Sequence, residues 1–163
     1  MNAVDPARRE RHREFPEVGS GEGKIRCSHV PTVGFSKPAA MARKFLIVEH
    51  NPEGQFLLSK TLKRKFPDAE VRGCQDADAA LAAVKDERWD ALIVHRSADV
   101  DGTSLTKMLR EVGPDNLILM VSGYDRAKEA LAAGATIFLS YDEWLRVGTV
   151  LADALTSREA NSD

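Results

Sequence analysis

The chain has 163 residues, 43% of them hydrophobic, and a formal net charge of −2 from intermixed acidic and basic residues. This length suits one globular domain plus a tail, and the absence of a basic stripe argues against nucleic-acid binding. No apolar run approaches the roughly 20 residues of a membrane-spanning helix and the N-terminus has no secretory-signal pattern, so we predict a cytoplasmic protein that contacts no membrane.

Residues 1–41 are predicted to form a disordered or overextended N-terminal tail, because they mix charges, Gly and Pro without an apolar period. Within this segment, GSGEGK at 19–24 lacks the first glycine of a phosphate-binding loop, and Ile25 stands where that loop needs Ser or Thr. Met41 and the following ARKFLIVEHN are typical of the opening of a compact domain. A start at Met41 is therefore a second interpretation of the segment.

The two cysteines of the chain are Cys27 and Cys74. They lie far apart and in no spacing typical of a metal site. We therefore predict two free thiols in a reducing compartment rather than a disulfide framework.

From Lys44 onward, short apolar runs alternate with longer amphipathic segments, which is typical of βα units that build a parallel sheet. Residues 45–48 form a continuous apolar run of the buried-strand type. Asn51 and Pro52 then supply the N-cap and the first residue of a helix that ends before Pro67.

Four more units are predicted from the same alternation. The remaining strands are expected at 70–73, 91–94, 117–121 and 136–139. The remaining helices are expected to begin at Asp76, Asp101 and about Arg126, and the last helix is marked by Trp144, Leu145, Leu151 and Leu155. Right-handed crossovers then give an α/β fold, a doubly wound five-stranded parallel sheet flanked by helices.

In an open α/β sheet, ligands and chemistry gather beyond the carboxyl ends of the strands. The polar residues predicted to lie at that edge are Glu49, His50, His95, Ser122 and Tyr141.

Three segments together resemble the receiver domain of bacterial two-component response regulators. They are KFLIVEHNP, WDALIVHRSADVDGTSLTKMLR, and ILMVSG with ALAAGATIFLS. The resemblance implies a flavodoxin-like (βα)5 domain over 42–157, followed by a short C-terminal tail at 158–163.

The family implies an acidic pair that binds Mg²⁺, an aspartate that accepts the phosphoryl group, a Ser or Thr and a Lys that contact it, and an aromatic switch residue. Glu49 and His50 stand at the acidic pair, His95 at the acceptor and Tyr141 at the lysine. This interpretation makes the domain a degenerate pseudo-receiver that is not an enzyme, has no cofactor and binds Mg²⁺ weakly or not at all.

Ser122 and Phe138 keep the switch chemistry of the family. We therefore predict a stand-alone signalling module of phosphorelay ancestry that acts by protein–protein interaction. Its partner is expected to be a protein of the pathway, such as a histidine kinase or a second copy of the chain. The face around Phe138 and Trp144 is the first candidate for the contact.

The sequence leaves two alternatives to a module that acts by protein–protein interaction. In the first, the receiver is phosphorylated at an unconventional residue, either His95, Asp99 or Asp101, although Asp101 is also a natural helix N-cap. In the second, Glu49, His50 and His95 form a metal or small-ligand sensor, because two imidazoles and a carboxylate suit Zn²⁺, Ni²⁺ or Fe²⁺.

Overall fold

The computed structural model describes residues 42–161. The predicted N-terminal tail, with Cys27 and the alternative start at Met41, lies outside the described residues. Cys74 is a free, buried thiol.

Five parallel strands form a single sheet in the order β2-β1-β3-β4-β5. The strands are β1 (Lys44–Glu49), β2 (Glu70–Cys74), β3 (Ala91–Arg96), β4 (Leu117–Ser122) and β5 (Ile137–Ser140). This order and the helices between the strands confirm the predicted flavodoxin-like α/β fold.

Each strand is followed by a helical segment. The helices are α1 (Pro52–Lys65), α2 (Ala77–Asp86), α3 (Gly102–Val112), α4 (Ala127–Ala132) and α5 (Val147–Ala160). The predicted N-caps are confirmed, because the side chains of Asn51, Asp76 and Asp101 each accept a hydrogen bond from a backbone N–H of the following helix.

The prediction for the last helix was partly wrong. A short 3-10 helix, Tyr141–Arg146, here named the connecting turn, contains Trp144 and Leu145 and precedes α5. The first buried residue after β5 in this part of the chain is Val147, at the start of α5, whereas Leu145 is 64% exposed. Apolar spacing does not distinguish the two helix types over so short a segment. The helix also continues to Ala160, past the predicted start of the C-terminal tail.

The core lies on both faces of the sheet. One apolar cluster packs between the sheet and helices α1 and α5, and it includes Phe45, Ile47, Leu62, Ile93 and Leu151. A second cluster packs between the opposite face and helices α2 and α3, and it includes Leu46, Val48, Leu92, Val94 and Leu105. Residues of β1 and β3 alternate between the two clusters, which explains why these strands are continuous apolar runs.

No helix within residues 42–161 is long and apolar enough to cross a bilayer.

Candidate functional site

The five predicted site residues lie at the carboxyl edge of the sheet. Glu49 is the last residue of β1 and His50 follows it, while His95 is the penultimate residue of β3. Ser122 ends β4, and Tyr141 begins the connecting turn directly after β5. Because the strands are parallel, these carboxyl ends meet at one edge.

An irregularity in strand pairing places His95 beside Glu49. Val48 pairs with Val94, but Glu49 pairs with Arg96, so the register shifts by one residue at this step. Beyond it, the backbone N–H of His50 donates to the carbonyl of Arg96 at 3.0 Å. A bulge of this kind bends the strand and re-aims a side chain.

Glu49 is a buried carboxylate whose oxygens both have hydrogen-bond donors. Its side chain is 1% exposed, its Oε2 is hydrogen-bonded to Nδ1 of His95, and its Oε1 accepts from the backbone N–H of Asn51 at 2.9 Å. Burial alone raises the pKa of Glu49, but the hydrogen bonds from His95 and Asn51 outweigh it and hold that pKa below its usual value.

Gly54, in the first turn of α1, allows this helix to approach the Glu49 side chain closely. A Cβ atom at Gly54 would lie 2.9 Å from Cγ and 3.3 Å from Oε2 of Glu49. A larger residue at position 54 would therefore push directly against the Glu49–His95 pair.

His50 borders the same carboxylate without binding it. Its Nδ1 lies 3.1 Å from Oε1 of Glu49, yet this buried nitrogen has no hydrogen-bond partner. Neighbouring residues within a strand point to opposite faces of the sheet. Glu49 and His50 can nevertheless lie on the same side, because β1 ends at Glu49 and His50 belongs to the bend that follows. Glu49 is thus flanked by two imidazoles, of which only that of His95 is hydrogen-bonded to it.

Tyr141 covers His95. The two rings are stacked, with centroids 4.9 Å apart and an interplanar angle of 20°. Tyr141 itself is 47% exposed. Sequence reasoning placed both residues at this edge but missed their contact, since the direction of Tyr141 depends on the geometry of the connecting turn.

Ser122 faces a cleft rather than the Glu49 carboxylate. Its Oγ accepts a hydrogen bond from the backbone N–H of Tyr124 at 3.2 Å. The cleft is lined also by His95 and Tyr141, and by Arg96 and Arg126, which sequence reasoning did not single out.

The two aspartates considered as displaced acceptors bind backbone amides. Asp101 accepts from the N–H groups of Thr103 and Ser104 at 3.0 and 3.1 Å, which is the N-cap role. Asp99 accepts from the N–H of Ala77 at 3.1 Å, at the start of α2. The pKa of Asp101 is lowered first by the hydroxyl of Ser104, and that of Asp99 first by the Ala77 amide.

The residues at this edge do not fit a metal ion. Residues 42–161 contain no group of three or more His, Cys, Asp or Glu side chains arranged to hold one. Mg²⁺ prefers oxygen ligands in octahedral geometry, whereas the Glu49 carboxylate is flanked by imidazoles and hydrogen-bonded to His95. The alternative of a metal sensor at Glu49, His50 and His95 therefore has no support in the described residues.

The two residues of the predicted partner face, Phe138 and Trp144, pack against different clusters. Phe138 packs against Met120 and Ala130, on the side of the sheet that carries α4. Trp144 packs against the cluster between the sheet and helices α1 and α5. Both side chains are half-buried. Successive strand residues face opposite sides of a sheet, and the connecting turn brings Trp144 back over the other face.

A five-stranded parallel sheet in this order, with its polar residues at the carboxyl edge, has the architecture of a receiver domain. The response regulator receiver domain family matches residues 45–142. This match covers more than half of the chain, so the protein belongs to the receiver domain family of two-component signalling.

Solved structures agree on the fold. A CheY-like receiver domain protein from Methanospirillum hungatei is 21% identical with a TM-score of 0.66, over 74% of this chain and 98% of that chain. A Burkholderia pseudomallei response regulator with a phosphorylated aspartic acid, a calcium ion and citrate is 25% identical with a TM-score of 0.56, over 74% and 75%.

The receiver domain of a sensor histidine kinase from Pseudomonas aeruginosa, with a magnesium ion in its active site cleft, is 23% identical with a TM-score of 0.61, over 71% of this chain and 98% of that chain. No curated protein sequence matches this chain.

Proposed function

We propose that this receiver domain accepts no phosphoryl group on aspartate and that it acts in signalling by binding a protein partner. The observation that carries the proposal is the hydrogen bond between the buried Glu49 carboxylate and His95. Phosphoryl transfer depends on a positioned nucleophile, a metal ion and a cation that stabilise charge. Here His95 and Glu49 are hydrogen-bonded to each other, and the neutral ring of Tyr141 lies over His95.

The nearby aspartates are unsuited to replace the acceptor. The carboxylates of Asp99 and Asp101 are held by backbone N–H groups at the starts of α2 and α3. Attack on a phosphoryl donor from either position would break these hydrogen bonds and expose the helix amides. We therefore assign the domain no enzymatic role and expect Mg²⁺ to bind weakly or not at all.

Incubation with acetyl phosphate and Mg²⁺ is expected to leave the intact mass of the protein unchanged. The Burkholderia pseudomallei response regulator, whose structure carries a phosphorylated aspartic acid, is the positive control. A phosphoryl adduct on this protein would contradict the proposal. Loss of that adduct in Asp99→Asn, Asp101→Asn or His95→Gln would then identify the unconventional acceptor.

An exposed apolar surface beside the site is the candidate for partner binding. The name α1 patch is used here for the exposed apolar residues of α1 and the connecting turn, Phe56, Leu57, Tyr141 and Leu145, which are 60%, 44%, 47% and 64% exposed. Leu57 and Tyr141 line the same small cavity with Glu49, so the patch adjoins the altered pocket. Contiguous exposed apolar surface is typical of interaction sites.

Basic residues of α1 flank one side of the α1 patch, whereas Asp142 and Glu143 of the connecting turn flank the other. Nζ of Lys60 lies 5.2 Å from the ring centroid of Phe56, and α1 ends in Lys63, Arg64 and Lys65. A protein of the pathway, such as a histidine kinase, would bury the apolar side chains and pair its acids with these lysines and this arginine. Because Tyr141 lies both over His95 and in the patch, binding there would also cover the altered pocket.

The double substitution Phe56→Ala and Leu145→Ala is expected to weaken partner binding at least about tenfold, since exposed apolar anchors dominate such interfaces. The measurement is crosslinking and affinity capture with the immobilised domain, followed by titration of the captured protein. Sedimentation velocity on the free domain tests a second copy as the partner.

Leu131→Ala is the matched control, because Leu131 is 51% exposed on α4, away from the α1 patch. A partner that is captured equally by the wild type and by both variants would exclude the α1 patch as the contact surface.

A further inference from the structure

A cleft opens beside the Glu49–His95 pair, between the loops that follow β3 and β4. Its volume is about 640 Å³, and Tyr141 lines one side of it. Small-molecule pockets span roughly 300–1,000 Å³, and in open α/β sheets they lie at the carboxyl ends of the strands. The space beside Gly123 is open, because a Cβ atom there would meet nothing within 4 Å.

The acidic residues of the cleft are already compensated. Asp99 and Asp101 line it, but their carboxylates accept hydrogen bonds from the first backbone N–H groups of α2 and α3. The positive end of a helix dipole offsets a carboxylate in this position. Both carboxylates therefore have partners other than the cations of the cleft, although the charge of Arg126 also acts on Asp101.

Two arginines of the cleft interact with carboxylates of residues 42–161 through their charge but form no short ion pair with them. The charge of Arg96 acts on Glu49 and that of Arg126 acts on Asp101. The guanidinium of Arg126 has its carboxylate partner, Glu129, at 3.9 Å, which is long for such a pair. Guanidinium groups match phosphate oxygens in geometry and charge. Ser122 adds a hydroxyl that can donate, since its oxygen accepts from the Tyr124 amide.

The same cleft exposes aromatic surface. Tyr124 and Tyr141 both line it, and they are 75% and 47% exposed. Arg126 lies 5.7 Å from the centroid of the Tyr124 ring, which brings cationic and aromatic surface together. Met120 adds a polarizable thioether to the lining.

We propose that this cleft binds a nucleoside monophosphate. The phosphate is held by Arg96, Arg126 and the hydroxyl of Ser122, and the base stacks on a tyrosine of the cleft. Stacking on aromatic side chains tolerates every base, because each base has a π-face. Binding would provide the domain with an input that involves no phosphoryl transfer. The proposal goes beyond protein–partner binding and does not depend on it.

The test is titration of the full chain with AMP, GMP, CMP and UMP in turn. Isothermal titration calorimetry measures the affinity, and backbone amide NMR locates the binding site. At least one of them is expected to bind saturably with a Kd below about 1 mM. The amide signals of Gly123, Tyr124 and Arg126 are expected to shift. Inorganic phosphate and the matching nucleoside are each expected to bind at least about tenfold more weakly, because each lacks half of the recognised groups.

Arg96→Gln and Arg126→Gln are each expected to weaken nucleotide binding at least about tenfold. Arg88→Gln is the matched control, since Arg88 is exposed at the opposite edge of the sheet, before β3. The proposal is wrong if none of the four nucleotides binds saturably, or if both cleft variants bind as the wild type does. The proposal is also wrong if inorganic phosphate or the nucleoside binds as tightly as the nucleotide, because the cleft would then recognise only one part of the nucleotide.

Discussion

The substitution His95→Ala is expected to lower the free energy of unfolding at pH 7 by about 3 kcal/mol, because it removes the side-chain hydrogen-bond partner of a buried carboxylate. The Glu49 carboxylate, 1% exposed, would keep only the hydrogen bond from the N–H of Asn51. Removal of the imidazole also leaves Tyr141 without its stacking partner. Urea denaturation followed by circular dichroism measures the effect.

The effect of His95→Ala should depend on pH in a defined direction. In the wild type, the pKa of Glu49 is lowered, despite burial that alone would raise it, by hydrogen bonds from His95 and Asn51. This stabilisation is present above the unfolded-state pKa of about 4.3 and is lost as the pH falls through the folded-state pKa. In the variant, burial without His95 raises the Glu49 pKa, so the carboxylate destabilises the fold only above about pH 4.3. The difference in the free energy of unfolding between the wild type and His95→Ala should therefore become smaller as the pH falls from 7 toward 4.

His50→Ala is the control for this experiment. Its imidazole also borders the Glu49 carboxylate, with Nδ1 3.1 Å from Oε1, but makes no hydrogen bond through Nδ1. We expect a loss below about 1 kcal/mol, since no buried hydrogen bond is broken. Equal decreases in the free energy of unfolding for His50→Ala and His95→Ala would contradict the assignment of His95 as the hydrogen-bond partner of Glu49.

Phe45→Ala is expected to destabilise the domain by about 4 kcal/mol, within the usual range for removal of a buried phenylalanine side chain. Phe45 lies in β1 and is fully buried. Its ring is 4.9 Å from that of Phe66, so the substitution also removes an aromatic contact between the sheet and the segment that ends α1. Chemical denaturation at neutral pH gives the value.

Phe56→Ala provides the same chemical change at an exposed position. Phe56 is 60% exposed on α1, so its loss should change stability by less than about 0.5 kcal/mol. This small effect would also show that weaker partner binding by a Phe56 variant reflects a lost contact rather than unfolding. If Phe45→Ala cost no more than Phe56→Ala, the placement of β1 at the centre of the core would be wrong.

The sequence by itself determined the succession of strands and helices and the residues that begin the helices. Asn51, Asp76 and Asp101 were predictable as N-caps because capping is decided between residues two or three positions apart. The parallel sheet was predictable because apolar strands that alternate with amphipathic helices have few other ways to bury both faces. The presence of Glu49, His95 and Tyr141 at one edge followed from that topology.

Only the tertiary structure decided which of these residues touch. Glu49 and His95 are 46 positions apart, and their contact depends on a register shift between β1 and β3 that no local pattern specifies. The stacking of Tyr141 on His95, and the placement of Phe138 and Trp144 on opposite faces, likewise depend on the connecting turn. Spacing along the chain predicts which elements form, whereas a hydrogen bond or a stacked pair requires side chains from different elements to meet within a few tenths of an ångström.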